Sequence, residues 1–136
     1  MKLRIKGDSI RLRVTQPELA ALLNAGRAAD AVRLGPRPQD RLTYALRTAT
    51  DDGPLRVEHA AAVGGAGAEV TVVLPREAVR RWRRPDEVGI AGDVPLGDGT
   101  VLRVLVEKDF ACLDARPEDQ DAGTFPNPAA AAGQSC

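Results

Sequence analysis

The first residues of the chain alternate between charged and apolar side chains. Over residues 2–6, Leu3 and Ile5 stand between basic residues, and the alternation resumes over residues 10–14. The sequence Gly7-Asp8-Ser9 between the two runs is typical of a turn. Strict alternation predicts strands with one buried face, so these two segments are expected to form a β-hairpin.

A short helix is predicted next, over residues 16–25. Thr15 and Glu18 have the spacing of a capping box, and Pro17 suits a first helical turn. Gly26 supplies a stop signal. The apolar positions that recur at helical spacing are Leu19, Leu22 and Leu23.

The remaining pattern predicts six more strands and a second helix. This helix begins at Pro75 and ends before Pro85, with Val79 and Trp82 on its apolar side. The predicted strands cover residues 31–34, 41–48, 55–60 and 69–74, a short segment around Val88 and Ile90, and residues 100–107.

The order of these elements repeats after the break at Asp51-Asp52-Gly53-Pro54. Leu3 and Ile5 match Leu55 and Val57, and a short helix follows the second strand of each half. Self-similarity at this length indicates a repeated supersecondary unit. The prediction is one α+β domain over residues 1–113, a duplicated β-β-α-β-β unit with pseudo-repeats 2–49 and 55–110. Its roughly eight, mostly antiparallel strands would form a barrel or two packed sheets with two short helices.

The character of the chain changes after this domain. Residues 114–136 hold acids, Pro, Ala and Gly without periodicity, which predicts an extended or partly disordered tail. Before it, Glu107 and Lys108 end the last predicted strand. They could line a site or pin the tail to the domain by ion pairs, and the apolar anchors Phe110, Leu113 and Phe125 favour the pinning interpretation.

Composition narrows the possible surroundings. Lys and Arg total 19, as do Asp and Glu, so the net charge gives no global attraction to nucleic acid or membrane. Aromatic residues make up 3% of the chain, so the core must be aliphatic. No apolar run is long enough for a membrane span. A secretory signal needs a continuous apolar stretch after its first charges, and the sequence has none there, so the expected location is the cytoplasm.

The best candidate for a binding site is a row of cations on the predicted hairpin. Like charges directly opposite each other destabilise a sheet, so acids on a neighbouring strand or a bound anion should offset them. Arginine suits phosphate through its planar fork. The alternative is a solvated surface neutralised by Glu58 and Glu69. The basic residues on one face are Lys2, Arg4, Lys6, Arg11 and Arg13.

Other candidates have stronger structural explanations. Arginines around Trp82 could stack on nucleic acid with it, but the helical spacing favours Trp82 as a core anchor with the arginines in solvent. His59 is the only histidine and has no nucleophile motif near it. Cys112 and Cys136 could be plain thiols, a disulfide or zinc ligands, and they lack the CxxC or HxxxH spacing of zinc sites. We predict no catalytic residue, no metal site and no cofactor.

Two motifs resemble a known family. Ile5–Gln16 (IKGDSIRLRVTQ) is one, and Leu105–Leu113 (LVEKDFACL), with Glu118-Asp119 and Phe125–Pro128 downstream, is the other. Together they resemble a family of short bacterial proteins known only as a domain of unknown function, over nearly the whole chain. That resemblance implies no activity.

The duplicated architecture is similar, more distantly, to the CYTH or triphosphate-tunnel enzymes. That resemblance implies a wide barrel whose charged interior binds polyphosphate and a metal. Its hallmark is a Glu-x-Glu-x-Lys strand near the N-terminus, where this chain has Lys2, Arg4 and Lys6. The scattered acids Glu58, Glu69 and Glu107 do not replace the missing metal ligands.

Three functions therefore stay open. The first is a small non-enzymatic module that binds an anion or a protein partner through the basic sheet face. The second is a phosphate-handling enzyme of the tunnel type, which needs the same cations inside a closed barrel. The third is nucleic-acid binding, against which the zero net charge argues. We predict the first, with no membrane partner.

Overall fold

The computed structural model describes residues 1–110, 123–126 and 128, and this part of the chain contains the predicted eight strands and two helices in the predicted order. The first half comprises β1 (Lys2–Ile5), β2 (Ser9–Val14), α1 (Gln16–Ala25), β3 (Arg27–Arg33) and β4 (Arg41–Thr48). The second comprises β5 (Arg56–Ala60), β6 (Ala68–Leu74), α2 (Arg76–Trp82), β7 (Gly89–Pro95) and β8 (Val101–Lys108).

Two boundaries differ from the predicted ones by several residues: β7 continues to Pro95, beyond the segment around Val88 and Ile90, and β3 starts at Arg27 and not at residue 31. Gly26 ends α1 in the left-handed conformation, with φ of 76°, and turns the chain directly into the strand. The first residues of β3 have little intrinsic strand preference. Pairing with β4, in which Arg27 lies opposite Arg47, overrides that preference.

The strands form two open four-stranded sheets, so the packed-sheet alternative is confirmed and the closed barrel is wrong. The first sheet has the order β1-β2-β8-β7, and the second has the order β3-β4-β6-β5. The two central pairs, β2–β8 and β4–β6, are parallel, and the four outer pairs are antiparallel. A tunnel that surrounds its ligand, as the distant resemblance implied, does not form from open sheets.

The two halves occupy equivalent places in this topology. Exchanging β1–β4 with β5–β8 converts the order of one sheet into the order of the other. The hydrogen bonds correspond as well: the amide of Lys108 donates to Val88 O at 3.0 Å, and the amide of Thr48 donates to Gly26 O at 2.9 Å. These matches support the predicted duplication.

The register alters one detail of the repeat. Leu3 lies opposite Leu12, and Val57 lies opposite Val72. Since Leu12 and Val72 hold equivalent central positions, the counterpart of Leu3 is Val57, two residues beyond the Leu55 that the sequence pattern suggested. The second strands and the helices match at an offset of 60 residues, as the pair Leu12 and Val72 shows.

Each half contributes one hairpin to each sheet, and the helices carry the chain from one sheet to the other. In the first sheet β2 pairs with β8 of the other half, and in the second sheet β4 pairs with β6. Neither half therefore contains a complete sheet.

A single core joins both sheets and both helices, and it is aliphatic apart from Trp82. Trp82 is 1% exposed and its indole N–H donates to Val88 O at 3.1 Å, so the predicted core anchor is confirmed. The buried apolar residues of the core are Leu12, Val14, Leu19, Leu22, Ala28, Leu46, Val72, Leu74, Val79, Val104 and Val106.

Residues 123–126 pack against the domain. The amide of Gln16 donates to Gly123 O at 2.8 Å, and the amide of Phe125 donates to Asp109 O at 2.9 Å. The rings of Phe110 and Phe125 meet edge to face, with centroids 6.0 Å apart. Most of the predicted tail, including Cys136, lies outside the described residues, and so does Cys112 of the predicted domain.

Candidate anion-binding face of the first sheet

Alternation places the five predicted cations on one side of the β1–β2 hairpin, which is called the basic face below. Lys2 lies opposite Arg13, and Arg4 lies opposite Arg11. The basic face comprises Lys2, Arg4, Lys6, Arg11 and Arg13. The intervening residues of β2 point to the core, so burial of that side holds the cations on the other. In each of these two pairs, two cations lie directly opposite each other across the hairpin, an arrangement that is unfavourable by itself.

One carboxylate offsets part of this repulsion. Glu107 Oε1 accepts hydrogen bonds from Nε of Arg11 at 2.7 Å and from Nε of Arg13 at 2.8 Å. The side chain of Glu107 is 15% exposed and comes from β8, which lies beside β2. Two cations share one anion here, so a positive charge remains.

A second acid sits at the end of the same face. Asp109 Oδ2 lies 3.0 Å from Lys2 Nζ, and Asp109 is 4% exposed. The idea that Glu58 and Glu69 neutralise the basic face is wrong, because both belong to the second sheet. There Glu58 pairs with Arg47 and Glu69 pairs with Arg27.

Arg4 and Lys6 are exposed, and neither has an acidic partner among the described residues. Two shallow concavities adjoin at the pair Arg4 and Arg11. One of about 140 Å³ extends toward Lys2 and Arg13, and the other of about 160 Å³ extends toward Lys6. Cations therefore line both concavities beside β1.

The second half shows that the fold does not demand these cations. In the first half, Arg4 lies opposite Arg11. The register shows that the equivalent pair of the second half is Glu58 opposite Thr71. The residue equivalent to Arg13 is Val73, two positions after Thr71. The same backbone thus accepts an acid, a hydroxyl and an aliphatic side chain at these places.

The end of β8 differs from the equivalent end of β4 at a greater cost in folding free energy, because it buries charged side chains. Glu107, Lys108 and Asp109 follow one another, and each is largely buried with a different partner. Lys108 Nζ donates to Arg84 O at 2.8 Å and lies 5.3 Å from the centroid of the Phe125 ring. Burial lowers the pKa of Lys108 below its ordinary value of 10.5, against the opposing effect of nearby Asp86 and Glu87.

Glu107 and Lys108 combine both roles that their position suggested. Lys108 helps to hold Phe125, as the pinning interpretation predicted, and Glu107 supports the basic face. The role of Glu107 had a signal in the sequence, since the like-charged hairpin required an acid on a neighbouring strand. What the sequence did not indicate is that β8, 96 residues beyond Arg11, is that strand.

The remaining candidates are not drawn together. His59 is exposed on β5 in the second sheet, beside Glu58 and Glu69. Among the arginines around Trp82 on α2, Arg80 pairs with Glu77 at 2.7 Å, and Trp82 itself is buried. Among the described residues, no group of three or more His, Cys, Asp or Glu side chains could hold a metal ion. Within the same part of the chain, no helix is long and apolar enough to cross a membrane.

A family model matches residues 1–129 of the chain, and its description is a family of unknown function, DUF7009. The chain belongs to this family. The basic face, the buried charges of β8 and the segment at Phe125 all lie within the part of this DUF7009 protein that the model matches. Neither the curated proteins nor the solved structures contain a match to the chain.

Proposed function

We propose that this DUF7009 protein is a small non-enzymatic binding module whose basic face takes the anionic groups of a ligand or a protein partner. The observation that carries the proposal is the sharing of Glu107 by Arg11 and Arg13 beside Arg4 and Lys6, which have no acidic partner among the described residues. The predicted cytoplasmic location belongs to the same proposal.

The contacts of Glu107 orient the guanidinium groups. Arg13 meets the carboxylate through Nε, which leaves its two terminal nitrogens as donors for a ligand. A side chain that is already held loses less conformational entropy when it binds. Arginine that is prearranged in this way suits carboxylate and phosphate groups, which it can bind through paired donors.

The asymmetry between the halves also supports a role in binding. A feature that serves only the fold should be interchangeable between equivalent positions of the two halves. The opposed pair Arg4 and Arg11 and the buried charges of β8 have no counterpart on the second sheet, where Arg56, at the place of Lys2, is the one Lys or Arg on β5 and β6. Buried ions oppose folding, and the second sheet forms without them at the equivalent positions, so a function is the simplest reason for their presence on the first sheet.

The two other functions have less support. The tunnel-type enzyme needs cations that surround a ligand, whereas the basic face lies on the outer side of an open sheet. Binding of single-stranded nucleic acid usually relies on aromatic stacking, and the described strands of the first sheet include no aromatic residue. Trp82 is buried in the core.

The proposal is tested by thermal unfolding at low salt with tripolyphosphate as the anionic probe. A ligand that binds only the folded state raises the melting temperature in proportion to the logarithm of its concentration. We expect the rise to disappear in the double variant Arg4→Ala with Lys6→Ala and to shrink as salt is added.

A matched control comes from the second sheet. Arg33 is exposed and lies opposite Arg41, another like-charged pair of a hairpin. The variant Arg33→Ala with Arg41→Ala therefore removes the same charge from a similar setting and should keep the full stabilisation. Equal loss in both double variants would show nonspecific charge attraction and would remove the support for this site.

A further inference from the structure

The outer edge of β1 carries no pairing strand in the part of the chain that the structure describes. β1 is the first strand of its sheet and, among the described residues, pairs only with β2. The amide of Lys6 donates to Ser9 O at 3.1 Å, which fixes the alternation of hydrogen-bonded pairs along the hairpin. Lys2, Arg4 and Lys6 therefore direct their backbone groups toward β2, and Leu3 and Ile5 direct theirs toward the free edge.

We propose that the partner of the basic face is an extended acidic segment of another protein, which adds to the first sheet as a strand beside β1. This inference rests on the proposed function and names the class of ligand. The backbone of the segment would bond to the N–H and C=O groups of Leu3 and Ile5, and its acidic side chains would meet the cations of β1.

The pattern of β1 dictates the pattern of the partner. In an antiparallel arrangement, Lys2, Arg4 and Lys6 lie at non-hydrogen-bonded pairs, where facing side chains approach most closely. The facing positions of the partner should therefore be acidic and two residues apart. Its intervening residues share the side of Ile5, a large apolar residue that is 62% exposed, so they should be apolar.

The size and composition of the face favour a peptide over other anions. From Lys2 to Lys6 an extended strand covers about 13 Å, a row of charges longer than a single phosphate group. A second copy of the chain is disfavoured because two β1 strands would set cations against cations. The lack of aromatic residues among the described positions of this face disfavours single-stranded nucleic acid.

The test measures binding of two fluorescein-labelled peptides of identical composition to the full chain by anisotropy at low salt. In one, Glu and Asp alternate with Val, as in Glu-Val-Asp-Val-Glu; in the other, the three acids are contiguous. We expect the alternating peptide to bind about tenfold more tightly, because only it aligns every acid with a cation while pairing its backbone. Arg4→Ala should weaken it, and Arg33→Ala should not.

A direct readout of strand addition is amide hydrogen exchange. Binding of the alternating peptide should slow exchange at Leu3 and Ile5, whereas the amide of Lys6, already bonded to Ser9, should change little. Methylating the peptide nitrogens that face Leu3 and Ile5 should weaken binding several-fold while keeping every charge.

The outcomes separate this inference from the proposed function. Equal affinity for the two peptides, or unchanged exchange at Leu3 and Ile5, would overturn strand addition while a retained response to tripolyphosphate would leave the anion site standing. Tighter binding of a single-stranded oligonucleotide than of the alternating peptide would also overturn it. Loss of the tripolyphosphate response would count against the proposed function itself.

Discussion

Asp109 and Ala49 occupy equivalent positions in the two halves of the domain. The amide of Asp109 donates to Val14 O, and the amide of Ala49 donates to Leu74 O, both at 2.8 Å. Asp109 is 4% exposed and Ala49 is 2% exposed. The backbone arrangement is therefore satisfied by alanine, and the carboxylate of Asp109 serves its contact with Lys2.

Exchanging these side chains should have unequal effects. Asp109→Ala removes a buried carboxylate whose partner, Lys2, can turn to solvent, so we expect a loss of no more than about 1–2 kcal/mol in the free energy of unfolding. Ala49→Asp buries a charge without a partner and should cost about 3 kcal/mol or more. Urea denaturation of both variants measures the difference, and comparable losses would contradict the proposed equivalence.

Glu107→Gln should destabilise the first sheet. The neutral amide leaves the like-charged pairs of the hairpin without their shared anion, so we expect a loss of about 1–3 kcal/mol at low salt. The loss should shrink when Arg13→Gln is added, because one of the uncompensated cations is then gone. A double-mutant cycle by urea denaturation measures this coupling, and an additive result would show that Glu107 and Arg13 do not interact.

Arg4→Gln should separate binding from stability. Arg4 is exposed and faces Arg11, so its loss should change the free energy of unfolding by no more than about 0.5 kcal/mol. Binding of tripolyphosphate should nevertheless weaken. Calorimetric titration and urea denaturation of the same preparation give both quantities; a large loss of stability would identify Arg4 as structural.

The pKa of Lys108 gives stability a specific dependence on pH. Because burial lowers this pKa in the folded state, the unfolded chain binds more protons between the folded value and the ordinary value of 10.5. The free energy of unfolding should therefore rise with pH across that window, as the cost of the buried ammonium is relieved. Below the window Lys108 is protonated in both states and contributes no slope.

Lys108→Met isolates this effect. The stability of the natural chain minus that of the variant should increase as the pH is raised toward 10.5, as measured by urea denaturation in steps of pH. Tyr44, whose pKa burial raises, is present in both proteins and cancels in the difference. A flat difference would mean that Lys108 titrates alike in the folded and unfolded states.

Separated halves should fold only together. Each half supplies one hairpin to each sheet, so fragments 1–53 and 54–136 each lack the partners of their strands. We expect neither fragment to unfold cooperatively, and an equimolar mixture to recover both strand content and the emission of buried Trp82. Fluorescence and circular dichroism measure this; burial of Trp82 in the isolated fragment 54–136 would contradict it.

The fold was predictable wherever local pattern coincides with burial. The alternation around Leu12 marked β2, and the spacing of Leu19 and Leu22 marked α1, because in both segments one side faces the core. The predicted β3 starts four residues too late because its first residues, such as Ala28 and Ala29, have no strand preference of their own. Pairing with β4 decides their conformation.

The site was predictable in its cations but not in its acids. Arg11 and Arg13 belong to the same short hairpin as Arg4, so local alternation was enough to group them. Glu107 is joined to them by a parallel pairing between the second and last strands, and nothing in the local pattern announces such a pairing. The choice between barrel and open sheets depends on the same long-range contacts.

The interlocked sheets have a consequence for the order of events during translation. The hairpin of β1 and β2 emerges first, but Glu107 is synthesised 96 residues after Arg11. At typical rates of elongation, the first hairpin waits about 5–20 s for the strand that completes its sheet. Until then the cations of this segment lack the carboxylate of Glu107, and their mutual repulsion opposes the edge-to-edge pairing that unprotected strands invite.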